Sequence, residues 1–394
     1  MKIKSLKDID NLKDKKIFLR LDLNVPLKNN RVADDYKIRA VLDTIETLLL
    51  HGAALIIATH LGKPKGKINS DLSVQPVAKY LAKLLGKKIK FIPSVVGSEV
   101  SKEAENLKSG EIVFIENLRF KKDELDNNEA FAKKLAALAD IYVNDALAVS
   151  HRTQASVSAI CKYLPSYAGL LLEKELQAFE KIIKPKKPLV VVMGGAKIKT
   201  KVPLIGKIYD SASYILLGGG LANSFLKFNK FEIGKSMYDE DSLAVIKKIL
   251  RGRKNSRKLI LPLDAVVSEK NGKIRPKKVE NVLASDTIFD IGPETISVYA
   301  KYIKKAQTLV WNGPMGKFED KDFQAGTMAI ARLVASRSSG HAYGLVGGGE
   351  TVAALRQSNM MEYVDWVSTA GGAMLAYLSR EDMPGLKKIV SYNK

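Results

Sequence analysis

VVVMGGAK (190–197), YILLGGGLANSF (214–225), YGLVGGGETVAAL (343–355) and WVSTAGGAML (366–375) share one grammar: a buried apolar strand, a glycine turn and the start of a helix. Of the 28 glycines, 21 lie beyond residue 190, and no two are adjacent before it. Glycine accepts positive φ and lets the backbone come close to a ligand. The helix N-terminus behind such a turn offers unpaired N–H groups and the positive end of a dipole, which together bind phosphate. Glycine turns also simply join strands to helices in many α/β proteins, so one cluster alone would carry little. Four of them along one sheet edge point to a nucleotide platform.

The first half alternates strand and helix without those clusters. KIFLRLDLN (16–24), ALIIATH (54–60), IVFIENLRF (112–120) and IYVNDA (141–146) read as strands. Between them, 38–52 places Val41, Leu42, Ile45, Leu48 and Leu49 on one helical face and stops at Gly52. Ser73 is positioned to cap a helix running to about Leu85, and EAFAKKLAALA (129–139) reads as a further helix. Such β–α alternation predicts a largely parallel sheet with right-handed crossovers. AGLLLEKELQAFEKII (168–183) is helical by its apolar spacing and runs into KPKKP (184–188), where the prolines stop the helix and stiffen a connector. Beyond it the pattern resumes in LVVVM, YILLG, KLILP, TIFDIG, TLVWNG, YGLVG and WVST. The expected organisation is 1–170 and 189–379 as two α/β domains, with 171–188 as interdomain helix and linker.

A chain of 394 residues suits two cores better than one. The longest apolar runs are strand-sized, which argues against a membrane span. MKIKSLKDID has positive charge but no apolar stretch behind it, so no secretory signal is expected and the cytoplasm is the expected compartment. The single cysteine, Cys161, excludes an internal disulfide and reads as a small buried hydrophobe. A net charge of +22 raises the question of nucleic acid. The Lys-Lys pairs are scattered from 15–16 to 387–388, however, and no zinc finger, RNP-type aromatic motif or basic zipper accompanies them. A generally basic surface that draws in small anions is the better reading.

In open parallel sheets, ligands bind beyond the carboxyl ends of the strands. There the first half carries Asp22, Asn24, His60, Lys63, Arg119, Asp145, His151 and Arg152, with Arg39 at the start of the first helix. Any one arginine reads as a surface ion-pair partner; four cations together with histidine on one rim form a plausible polyanion site. In the second half, Lys197 and Lys201 follow Gly194 and Gly195 and could lie along phosphates, while Glu319 is available to a ribose hydroxyl. Glu350 in GGGETV fits a magnesium position, and equally a favourable acid in a helix's first turn. No GxxxxGK[ST], complete GxGxxG, HExxH or GxSxG occurs, and His51 and His341 read as structural. A basic half, a nucleotide-type half and no nucleophile pattern suggest direct phosphoryl transfer, which depends on alignment and charge cancellation.

The ordered set RLDLNVP, HLGKP, ENLRF, NDA…HR, GGAKIKTK, LLGGGLANSFL, LPLDAVV, DIGPETI, VWNGPMGKFE, GGGET and STAGGA resembles the phosphoglycerate kinase family over essentially the whole chain. The fold so implied is α/β, with two similar Rossmann-like parallel-sheet domains joined by a helix and hinge, and the C-terminal segment 380–394 packing back on the first domain. The implied glycolytic reaction is reversible, magnesium-dependent transfer from 1,3-bisphosphoglycerate to ADP, giving 3-phosphoglycerate and ATP, by a monomer. The resemblance assigns Asp22, Leu23, Asn24, Arg39, His60, Leu61, Gly62, Lys63, Arg119 and Arg152 to the phosphoglycerate site. It assigns Gly194, Gly195, Lys197, Lys201, Gly218, Gly219, Gly292, Asn312, Pro314, Glu319, Gly348, Gly349, Glu350 and Thr351 to the nucleotide site, with Glu350 as metal ligand. Arg39, Lys201, Gly371 and Gly372 would act on the group in transfer. In the ATP-consuming direction the acceptor is a carboxylate already ionised at neutral pH, so no general base is needed.

The chain departs from the family's pattern at Lys63 (usually arginine), along 144–156, at Glu350 (usually aspartate) and at Ala370 (usually glycine). Two rivals remain: a dinucleotide dehydrogenase, opposed by the incomplete fingerprints, and a nucleic-acid-binding protein, which steep salt-dependent binding without turnover would favour. Closure about the 168–188 connector is expected only when both substrates are present. Small-angle scattering should show compaction with 3-phosphoglycerate and a nucleotide analogue together; no change in radius of gyration would rule it out.

Overall fold

The structure, a computed structural model, describes residues 1–251 and 257–392. The chain divides into two compact units, one of Met1–Gln177 with Glu381–Lys394, the other of Ala178–Arg380. Residues 393–394 of the expected C-terminal segment lie outside the described residues.

The first unit is built on six parallel strands in the spatial order Lys90–Ile92, Ile112–Ile115, Ala54–Ala58, Lys16–Leu21, Ile141–Asp145 and Ser166–Ala168. Apart from Lys16 at one end, its central strands are buried throughout, as expected of a parallel sheet covered by helices on both faces. Ile17, Leu19, Leu55, Ile57, Phe114 and Val143 meet in one core cluster with Ile45, Leu48 and Leu81 from the helices. On the other face Phe18 packs against Tyr142 at 6.2 Å between ring centres.

The apolar face expected over 38–52 is present, but on two helices, Tyr36–Ala40 and Leu42–Leu50, with Val41 at their junction. The helix before Leu85 runs Gln75–Leu85 and closes on Gly86 in the left-handed conformation. Its start is held by more than the expected serine. Ser73 Oγ accepts from Gln75 N–H at 3.3 Å, and the carboxylate of Glu116 takes Ser73 O–H at 2.7 Å and Val74 N–H at 2.9 Å. Residues near the C-terminus join this unit: Val390–Ser391 pair antiparallel with Lys2–Ile3, and Gly385 N–H donates to Ser150 O at 2.9 Å.

The second unit repeats the plan with Leu259–Ile260, Tyr214–Leu217, Leu189–Met193, Thr308–Asn312, Tyr343–Gly347 and Trp366–Ser368, all parallel in that order. TIFDIG is a correction to the regular alternation. Thr287–Ile291 is a strand, but it pairs antiparallel with Asp264–Ser268 in a separate three-stranded sheet completed by Ile274–Lys278. The Asn271-Gly272 dipeptide, with Gly272 at φ 80°, turns Asp264–Ser268 back on itself. That dipeptide was a hairpin signal in the sequence.

Asp264 ties this small sheet to the following helix, Pro293–Lys305: its carboxylate accepts from Glu294 N–H at 3.0 Å, Thr295 N–H at 2.7 Å and Thr295 O–H at 2.6 Å. Removing it leaves two helix-end N–H groups unpaired, the Thr295 one buried, at a cost of about 1–3 kcal/mol. Asp264→Ala should therefore lower the denaturant midpoint of this unit measurably, whereas Asp264→Asn, which keeps an acceptor, should lose less.

Candidate active site

In the first unit the carboxyl ends of four neighbouring strands bring together residues far apart in sequence. Asp22 follows Lys16–Leu21, and its carboxylate accepts from Lys37 Nζ at 2.5 Å and lies 3.9 Å from His60 Nδ1. Burial alone would raise the Asp22 pKa; the Lys37 ammonium, with Arg20, outweighs it and holds the group at about 2. Asn24 Oδ1 accepts from Gly62 N–H at 2.9 Å, joining the turns after two strands. His60 is held well below the usual histidine range, first by burial and then by Arg20, Arg119 and Lys37, so it is neutral.

Arg119 sits on a short turn, Leu118–Phe120, fixed by Asn117, and donates from Nη1 to Gly62 O at 2.8 Å. Its Nε and Nη2 are buried and bond to nothing. Burial, then Arg152 and Arg20, bring its pKa down to about 10, so the guanidinium is still charged. A buried cation with unbonded N–H groups beside further cations is an incomplete arrangement that an anion would complete. Behind it Arg20 is wholly buried, donating to Ser156 Oγ at 3.0 Å, which donates in turn to Glu124 at 2.7 Å.

Not every expected residue joins this cluster. Arg39 is 59% exposed and pairs with Asp35 at 2.6 Å, and Lys63 is exposed. Asp145 turns away from the rim and accepts from Leu172 N–H at 2.8 Å, in the first turn of the Leu170–Ile183 helix. Lys37, which does join, lies in none of the motifs, and Arg20, which also joins, opens RLDLNVP without having been assigned to the site.

In the second unit each glycine cluster lies at the carboxyl end of a parallel strand. The turns at Gly194 and Gly313 touch: a Cβ at Gly194 would stand 2.0 Å from Pro314 O, and one at Gly313 2.2 Å from Gly194 O. Lys201, on the helix Ile198–Ile208, is buried and donates to Gly194 O at 2.5 Å and Asn312 O at 3.3 Å. Burial brings its pKa down to about 8, with Lys197 adding to the shift and Glu350 opposing it. Lys197 Nζ lies 3.9 Å from Glu350. Gly313 N–H donates to Thr351 Oγ1 at 2.6 Å, and Asn312 Nδ2 to Gly347 O at 2.7 Å.

A cleft of about 230 Å³ opens beside these turns and includes Gly195, Gly219, Pro314, Glu319 and Glu350. It also includes Leu226, Met237, Ile288 and Phe289, an apolar wall from the small sheet and its surroundings that glycine spacing could not announce. Gly218 follows Tyr214–Leu217, and Gly348 and Gly349 open the helix Gly349–Gln357. Gly292 does not line the cleft; it packs on the Asp264 carboxylate. Gly371, at φ 55°, and Gly372 begin the helix Gly372–Leu378, and a Cβ at either would meet open space. The positive φ falls on Gly371, not on Ala370, which is buried and donates to Ser368 Oγ at 3.1 Å. Alanine at 370 therefore needs no strained backbone. Among the described residues no three His, Cys, Asp or Glu side chains form a metal cluster.

A cationic rim with unbonded guanidinium groups in one unit, and a glycine cleft with a buried lysine in the other, suit a phosphoryl-transfer enzyme acting between a nucleotide and a small anion. The phosphoglycerate kinase family model matches residues 6–381. The chain is 40% identical to a phosphoglycerate kinase of Thermosipho africanus, covering 99% of this chain and 98% of that one, and 41% identical to one of Moorella thermoacetica, covering 97% and 98%. It is similar in structure to phosphoglycerate kinases from Coxiella burnetii (TM-score 0.85, 37% identity) and Pyrococcus horikoshii (TM-score 0.86, 30% identity), covering 98% of each chain in both cases. The chain belongs to the phosphoglycerate kinase family, nucleotide-using kinases that carry out the glycolytic transfer between 1,3-bisphosphoglycerate and ADP. Among the described residues no helix is long and apolar enough to cross a membrane.

Asp145 offers a test of the buried electrostatics. Burial raises its pKa from 3.8 to about 7, against the hydrogen bonds it accepts. The proton thus favours the folded state: this contribution is complete below about pH 4 and is lost as pH rises through about 7. Asp145→Asn should flatten the stability profile across that window by one proton's worth, up to about 1.4 kcal/mol per pH unit. Melting temperatures from pH 4 to 8 measure it; parallel profiles would show that Asp145 ionises normally.

Proposed function

We propose that the family's reaction runs here with the first unit holding the phosphoglycerate and the second the nucleotide. Arg119, whose buried Nε and Nη2 have no partner, is the observation that carries the assignment of the anion to the first unit. His60, neutral in its buried setting, can donate or accept a hydrogen bond without adding charge. Asp22 and Asn24 accept hydrogen bonds and hold the loop ends, with Leu23, Leu61 and Gly62 supplying backbone around them, and Lys63 and Arg152 add positive charge at the rim.

In the second unit, Gly194, Gly195, Gly218 and Gly219 form the bed, Pro314 stiffens its edge, and Glu319 faces a ribose. Gly348, Gly349 and Thr351 lie at the helix start that receives phosphate, with Asn312 bracing the turn and Gly292 setting the helix that follows the small sheet. Lys201 lies along the phosphates, and Lys197 is a second cation nearby. Magnesium fits Glu350: that ion is commonly held by one or two carboxylates plus phosphate oxygens, and the Glu350 side chain is 43% exposed in the cleft. When bound, the ion neutralises phosphate charge. Arg39, Lys201, Gly371 and Gly372 act on the group in transfer; Arg39 would exchange its Asp35 partner for it. The acceptor carboxylate is ionised at neutral pH, so the protein positions and neutralises rather than moving a proton. The protein works as a monomer in the cytoplasm.

Lys201→Ala removes one buried charge-stabilising donor and should lower kcat by about 10²–10³ with little change in melting temperature. A coupled assay of 3-phosphoglycerate-dependent ATP consumption, with and without magnesium, measures both the role and the metal requirement; wild-type turnover in the variant would refute the role.

A further inference from the structure

The second unit contains a separate cavity on the far side of its sheet from the main packed core. Val190, Val192, Leu309 and Trp311 point into that core. Successive strand residues face opposite ways, so Val191 and Met193, registered against Val310 and Asn312, point to the other face. A cavity of about 250 Å³ lies there; it shares no lining residue with the cleft beside the glycine turns, although Asn312, which braces those turns, lines it. Its walls include Leu204, Leu375 and Leu378, and the two leucines near the chain's end are only half-buried. At its rim Ser379 Oγ is buried without a hydrogen-bond partner, next to Arg380.

An apolar cavity of about 150 Å³ accepts a benzene molecule, so this one has room for a ring or a chain of about eight carbons. A buried hydroxyl without a partner and an arginine lining the same cavity can together recognise a carboxylate. We propose that this cavity is an effector site for a small amphipathic carboxylate, whose apolar body lies among the leucines and whose head group meets Ser379 and Arg380. The walls tie it to the transfer machinery. Leu204 shares the Ile198–Ile208 helix with Lys201, and Leu375 and Leu378 lie on the helix that begins at Gly372. Met193 and Asn312 immediately precede Gly194 and Gly313. A ligand that moves these walls moves the elements that shape the nucleotide cleft, a coupling that rests on the nucleotide assignment above.

Titration of the full chain with octanoate, followed by calorimetry and methyl NMR, tests the site. One saturable site below about 10 mM is expected, with leucine methyl shifts confined to the cavity and an affinity at least about tenfold weaker in Leu204→Trp, which fills it. If Leu204→Trp does not fold, Leu375→Phe takes its place. Arg380→Ala should weaken octanoate while leaving 1-octanol unchanged. By reciprocity, octanoate and ADP should shift each other's dissociation constants by about twofold or more. No saturation, or affinity unchanged on filling the cavity, would overturn the site. Equal affinity for octanoate and 1-octanol would overturn the carboxylate, and constants unchanged by ADP would overturn the coupling. Failure of ADP itself to bind would count against the proposed function and leave the octanoate result standing.

Discussion

Two backbone turns in the second unit lie closer together than any side chain would allow, and its site depends on that contact. With Gly194 and Gly313 interlocked, their neighbouring carbonyls converge on one point, and the Lys201 ammonium occupies it. A methyl group on either glycine would push first against a backbone carbonyl, and at Gly313 it would also meet the Lys201 ammonium. The lysine is thereby fixed by dipoles rather than by a carboxylate, which keeps its charge available. Buried and only partly compensated, it has a lowered pKa.

The first unit applies the same physics with arginine. Arg20 is fully buried and reaches Glu124 through Ser156, so its charge is answered within the protein. Arg119, a few residues from Glu124 in sequence, has one bond to a carbonyl and two buried nitrogens with none. Burying a cation without full hydrogen bonding is costly, and such a cost persists where the fold around it is strong enough to impose it. Here the imposing elements are the buried strand ends and the Asn117-held turn. The two units therefore meet the same demand differently: backbone dipoles in one, cations in the other.

Much of the architecture was legible in the residues because its signals are local. Continuous apolar runs marked the parallel strands, and glycine pairs marked their carboxyl ends. The departure at Ala370 was settled by one dihedral, since the left-handed residue is Gly371. The antiparallel excursion of Asp264–Ser268, Ile274–Lys278 and Thr287–Ile291 is marked in the sequence only by Asn271-Gly272, because TIFDIG alone has the look of any buried strand. Lys37 and Arg39 are both basic residues on one short helix, and nothing in their spacing says that Lys37 meets Asp22 while Arg39 pairs with Asp35.

By itself the sequence determined the two α/β halves, the glycine edge and the ordered motifs of the family, because periodicity and turn chemistry act over a few residues. Only the tertiary structure decided which cations are answered and which are left open. Arg20 and Ser156 are 136 positions apart, and Lys201 and Asn312 are 111 apart. Whether a charge keeps its affinity for a ligand depends on such distances, on burial and on neighbouring dipoles, which exist only once the chain has closed on itself.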